Sequence, residues 1–204
     1  MDIAAFLTIV SIHLAAAISP GPSFVLSVRT AASEGFGVAT ALALGFGIGA
    51  LLWAVVAMAG LALVFELVPA LFLGLKIIGG AFLLWIAYKM WTHASDPLPE
   101  QTANRNPRST LGAIRYGFLF FASNPKPAVF FGAVFVGLVP HDTPMPWRLA
   151  ILAAVFANET LWYIVVARIF SLPRARTAYM RLKAKVDRTF GGLIALLGLK
   201  IALT

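Results

Sequence analysis

Six long apolar runs, separated by short polar connections, dominate the chain: residues 4–28, 38–67, 70–91, 111–139, 147–167 and 190–203. At about 1.5 Å of rise per residue, about 20 helical residues cross a hydrocarbon core. The first five runs reach that length. The sixth is short and has to borrow helix from the basic stretch before it, with Lys and Arg stems reaching for the interface. The pattern predicts an all-α membrane protein of six transmembrane helices in a single domain spanning residues 1–204. Residues 92–110, rich in Pro, Asn and Ser, read as a flexible loop.

Two tetrapeptides interrupt this pattern. Ser19-Pro20-Gly21-Pro22 breaks the first run and Asn124-Pro125-Lys126-Pro127 breaks the fourth. A proline inside a helix removes a hydrogen bond and clashes with the preceding turn. Ser19 and Asn124 are good N-cap residues, and Pro20 and Pro125 suit a first helical position. Each run is therefore expected to stop, unwind and restart in mid-membrane. One offset of 105 residues carries Pro20 and Pro22 onto Pro125 and Pro127, and carries the second run onto the fifth. Three runs per half would insert the halves with opposite polarity. The expected architecture is two inverted three-helix repeats, at about 1–91 and 111–204, with broken helices one and four.

Such breaks predict chemistry. A restarted half-helix points unpaired N–H groups and a partial positive charge at the midplane, which suits a carboxylate, and Lys126 adds a full charge. Unwound carbonyls near Ala17, Ile18 and Ser123 could accept from an ammonium. A zwitterionic amino acid satisfies both ends. The bland alternative is a pair of structural kinks packed dry.

Glu159 falls in the middle of the fifth run, where a carboxylate must be protonated, paired or facing an aqueous cavity. Pairing with Lys126, binding a substrate amine and relaying a proton all remain open. Asn158 can hydrogen-bond in the same region. His13 is a candidate proton relay, although a lone histidine in a bundle more often serves as an interhelical hydrogen bonder. Ala41, Gly45 and Gly49 recur every four residues in the second run, with Gly47 between them. That spacing suits close packing inside the monomer, a sliding contact or a homodimer face.

Composition fits lipid as the solvent: the chain is 60% hydrophobic and 12% charged, and its mean hydropathy is +0.89. A soluble domain carries about 25% charged residues. The absence of cysteine excludes thiolate metal sites and disulfides. The three histidines lack metal-ligand spacing, no Walker loop is present, and nothing calls for a cofactor or an enzymatic centre. The net charge of +8 does not point to nucleic acid, because the basic residues sit at the ends of the apolar runs. Twelve fall on the side of the loops after runs one, three and five, against three on the other side. By the positive-inside rule both termini face away from the cytoplasm. The first residues lack a basic n-region, so the first run reads as part of the bundle and not as a cleaved signal. Within 172–188, Leu172, Ala175, Tyr179, Leu182 and Val186 recur at helical spacing among basic residues. This reads either as an amphipathic helix on anionic lipid or as a merely basic loop.

The two tetrapeptides, the Gly-rich second run, the segment from Leu75 to Trp85 and the Gly117-Phe118 pair before the second break resemble the LysE/RhtB family of lysine and threonine exporters. The resemblance covers nearly the whole chain. It implies a secondary transporter in the bacterial inner membrane that exports amino acids or their derivatives, driven by the proton gradient through antiport. It also implies that the two proline motifs shape the translocation path. Pro127 departs from the family, where an alanine is frequent. The residues assigned to substrate binding and translocation are thus Ser19, Pro20, Gly21, Pro22, Asn124, Pro125, Lys126, Pro127 and Glu159. A transporter of another solute or ion, or a non-transporting scaffold, is the alternative. A cation site would want more carboxylates than the core offers.

Overall fold

The computed structural model describes residues 1–19, 21–61, 77, 80–81, 84–85, 87–96, 107–135, 138–140 and 142–203. No strand occurs among them. Among the described residues, seven α-helices are bounded at both ends: α1 (Ile3–Ile18), α2 (Pro22–Ser33), α3 (Phe36–Val56), α4 (Thr110–Ala122), α5 (Pro125–Val129), α6 (Met145–Phe170) and α7 (Pro173–Leu203); residues 77, 80–81, 84–85 and 87–92 are helical as well. Two π-helical turns, Ala57–Leu61 and Phe130–Phe135, extend α3 and α5 and touch each other.

Local chemistry sets the boundaries. Asp2 caps α1 by accepting from the N–H of Ala5 at 2.8 Å, and Ser109 caps α4 through Gly112. Gly35 turns the chain from α2 into α3 with φ of 91°, a left-handed conformation that costs glycine nothing. Below it, the carboxylate of Glu34 accepts from the backbone N–H of Arg108 at 2.9 Å and pairs with its guanidinium at 3.3 Å. The guanidinium also lies 4.2 Å from the Tyr116 ring centre.

Among the described residues, two helices are long and apolar enough to cross a membrane, Phe36–Ala59 and Met145–Phe170. The pair α1 and α2, bent by 59° at the first break, makes a third span if taken together. The fourth run is split at the second break into α4 and α5. Most of the third run, and the loop segment 97–106, lie outside the described residues. Of its two readings the stretch 172–188 takes the helical one, from Pro173 onward. It is the first half of α7, which runs unbroken for 31 residues into the sixth apolar run. The short sixth run thus gains its length as its composition requires. Lys183 anchors this half by donating to the carbonyls of His93 and Ala94, both at 3.0 Å, and to Asp187 at 2.8 Å.

The core gathers around α3, which packs chiefly on α4 and α6. A Cβ on Gly45 would lie 2.2 Å from the Ile114 carbonyl, and one on Gly117 would lie 2.4 Å from that of Leu42. Here the two backbones touch. Gly49 meets Phe121 on the same side, whereas Gly47 faces Thr160 and Phe156 of α6. The small-residue stripe therefore serves packing within the monomer.

Candidate functional site

The two breaks meet. Between them lies a cavity of about 380 Å³ with its open mouth included, lined by α1, both restart points, the π-helical turn after α5, and Glu159 and Tyr163 of α6. Its two sides are tied together by Asn124, whose side-chain amide donates to the Ser23 hydroxyl at 3.0 Å. The other end of that amide accepts from the N–H of Lys126 at 3.1 Å. Asn124 is thus the N-cap of α5 with Pro125 at its first position, as the sequence predicts.

The first break restarts differently. Ser19 closes α1 as its C-cap, its N–H donating to the Ala15 carbonyl at 3.1 Å. The N-cap of α2 is Gly21, with Pro22 at the helix start and no side chain capping it. The Ser19 hydroxyl is buried and has no hydrogen-bond partner among the described residues. Pro20 lies outside the described residues.

Lys126 crosses from the second break to the first. Its ammonium donates to the carbonyl of Ala16 at 3.1 Å and to that of Ser19. Its stem lies over Gly21, where a Cβ would come 3.1 Å from Cδ and 3.4 Å from Nζ. The backbone of Gly21 is extended, so what the glycine offers here is room for that stem and not a special conformation. The carbonyls expected near Ala17 and Ile18 are therefore those of Ala16 and Ser19.

Glu159 is 4% exposed and faces the same cavity. Its nearest charged or titratable neighbour within 4 Å is His13, Nε2 to Oε2 at 3.7 Å. His13 is 2% exposed and sits against the rings of Phe130 and Phe131, each 5.6 Å away. Asn158 donates to the Val10 carbonyl at 3.0 Å and lies 3.5 Å from Nδ1 of His13. With its nitrogen donating to Val10, the Asn158 amide presents a donor to Nδ1, the contact that a neutral ring protonated on Nε2 would make.

Of the residues singled out by sequence, His13, Gly21, Asn124, Lys126, Pro127 and Glu159 line the cavity. Ser19 contributes its carbonyl, and Pro22 and Pro125 begin the restarted helices. Tyr163, Ser23 and Phe121 also line it and escaped the sequence reading. Tyr163 carried a usable signal, since it follows Glu159 by four residues and so shares its helix face.

The cavity at the two helix breaks sets the polar side chains of His13, Ser23, Asn124, Lys126, Glu159 and Tyr163 among apolar ones, in a chain whose helices include membrane-length apolar ones. Residues 14–204 match the LysE type translocator family, and the chain belongs to it. It is 33% identical over 205 residues to the threonine efflux protein of Escherichia coli (strain K12), covering 98% of both chains. It is 32% identical over 203 residues to the threonine efflux protein of Salmonella typhimurium, again at 98% of both. Similarity at 25% over 180 residues extends to the leucine efflux protein of Enterobacter sp. (strain 638), covering 87% of this chain and 83% of the relative. No solved structure matches.

Proposed function

We propose that this protein exports a small neutral amino acid or a close derivative across the bacterial inner membrane, in exchange for protons. The observation that carries the reading is the convergence of two broken helices on one cavity holding both a lysine and a glutamate. Relatives named for threonine and leucine efflux make neutral amino acids the substrate class to test first.

The substrate carboxylate is assigned to the start of α2, where no side chain caps the helix and Gly21 and Ser23 open onto the cavity. The start of α5 serves this purpose poorly. Prolines 125 and 127 lack N–H groups, and that of Lys126 is taken by Asn124. Glu159 opens onto the same cavity, and its contact with His13 supplies a place for the exchanged proton. The two halves are read as inverted repeats because the breaks and the helices after them share one offset. Positive charge on the loops after runs one, three and five places those loops in the cytoplasm. The basic first half of α7 then lies at the cytoplasmic surface, beside anionic lipid.

The test compares amino acids in the medium of overexpressing and null cells, with Lys126→Ala and Glu159→Gln variants beside the wild type. Threonine or another neutral amino acid should accumulate outside wild-type cells only. Normal membrane levels with wild-type efflux from both variants would refute the site. Cysteine labelling at Ser19 and Ser123 adds an independent check, because a dry scaffold would protect both positions from water-soluble reagents on either side.

A further inference from the structure

Two backbone carbonyls at the end of α1 lack the partners a continuous helix would give them. The carbonyl of Ala16 would accept from the N–H of residue 20, but residue 20 is proline. The carbonyl of Ser19 stands at the C-cap, with α2 beginning only at Pro22. Inside a membrane such groups are costly to leave bare. Both are filled by one cation from the other break, the ammonium of Lys126, held across sequence separations of 110 and 107 residues. The lysine stem passes close over Gly21 on its way to them.

We propose that the carbonyls of Ala16 and Ser19 form the ammonium subsite of the transporter, and that Lys126 is its tethered resident when no substrate is bound. The inference rests on the exporter reading and deepens it. A substrate ammonium has the same charge, the same donors and the same geometry as the lysine terminus, so the two compete for one place. Substrate enters as Lys126 leaves. After release on the far side Lys126 returns, and the empty protein resets without carrying unpaired carbonyls through the membrane interior. Lys126 is thus a positioning residue for the empty state and does not grip the substrate carboxylate, which the start of α2 receives.

Loaded and empty passages separate in proteoliposomes. Exchange of labelled threonine against internal threonine needs only the loaded passage, whereas net efflux also needs the empty return. In Lys126→Met, exchange should persist with a lower half-saturating threonine concentration, because the competitor is gone. Net efflux should fall by roughly tenfold or more, the range expected for leaving buried polar groups unsatisfied. Gly21→Ala keeps the charge but displaces the stem, and should show the same split in weaker form. It also covers the case in which Lys126→Met does not fold. If exchange and net efflux fall together in both variants, or if neither falls, the tethered-resident proposal is wrong while the exporter reading stands. If wild-type protein moves neither threonine nor any other amino acid of a neutral, basic and sulfur-containing panel, both readings fail together.

Discussion

Asn124 donates to the hydroxyl of Ser23 at 3.0 Å across 101 residues of sequence, so the start of α5 is fastened to the start of α2. The same side chain caps α5. Asn124→Ala removes both bonds. The cap alone contributes about 1 kcal/mol, and the buried serine left without its donor adds about 1–3 kcal/mol. A clear drop in the melting temperature of detergent-purified protein is expected, with reduced threonine efflux. Asn124→Asp keeps the cap and lets the hydroxyl of Ser23 donate in turn, so its melting temperature should fall less.

Glu159→Gln keeps the shape of the side chain and removes its charge. The variant is expected to reach the membrane at wild-type levels and to lose proton-driven efflux by about tenfold or more, in keeping with the functional role usual for intramembrane carboxylates. Efflux into medium of varied pH, with membrane levels measured in parallel, checks both halves of the expectation. Asn158→Ala frees the His13 ring that it orients and should reduce efflux several-fold without loss of protein.

At the contact of α3 with α4 the glycines admit no side chain. Gly45→Val and Gly117→Val each drive carbon into a carbonyl of the opposite backbone, and membrane-inserted protein should all but disappear. Gly37, also in α3, has no atom of the described residues within 4 Å of its hypothetical Cβ. Gly37→Ala should insert and transport normally, and the contrast between these variants on a membrane blot is the measurement.

Glu34 holds the turn between α2 and α3 against the start of α4 through Arg108. Its carboxylate is nearly buried, while the guanidinium is partly open to water. Most of the loss in Glu34→Ala should therefore come from the orphaned backbone N–H, about 1–2 kcal/mol, and little from the ion pair. Thermal unfolding should show that loss with only slight dependence on salt.

Lys183 joins α7 to the carbonyls of His93 and Ala94, and Asp187 is the third partner of its ammonium. Asp187→Asn leaves the two carbonyl bonds in place and should be mild. Lys183→Met removes all three and should cost more, by about 1–3 kcal/mol for the unpaired groups. The ordering of the two melting temperatures is the test.

Features that depend on neighbouring residues were legible in the sequence, and those set by distant contacts were not. The two breaks were readable because a missing N–H is a property of proline wherever it stands. Asn124 was readable as a cap for the same local reason. The first restart was misplaced at Ser19, since Pro20 and Pro22 both suit a helix start. What fills the space there is the stem of Lys126 from the other break, over Gly21. Charge alone left Lys126, a substrate amine and a relayed proton all open as partners of Glu159. The fold gives the lysine to carbonyls freed by proline and gives the glutamate to His13, and neither partner follows from spacing. The glycines in the second run announced a close contact without naming its other side, which Gly117 and Phe121 supply.

The meeting of Gly45 with Gly117 has a consequence for how the sequence can change. Most core contacts tolerate drift by exchange, a larger side chain on one helix balanced by a smaller one on the other. Here both partners already have the smallest side chain, so neither can shrink to admit growth in the other. The seam is closed to compensation. Variation in this protein must be absorbed elsewhere, around the cavity and along the outward faces of the helices, while α3 and α4 keep their spacing.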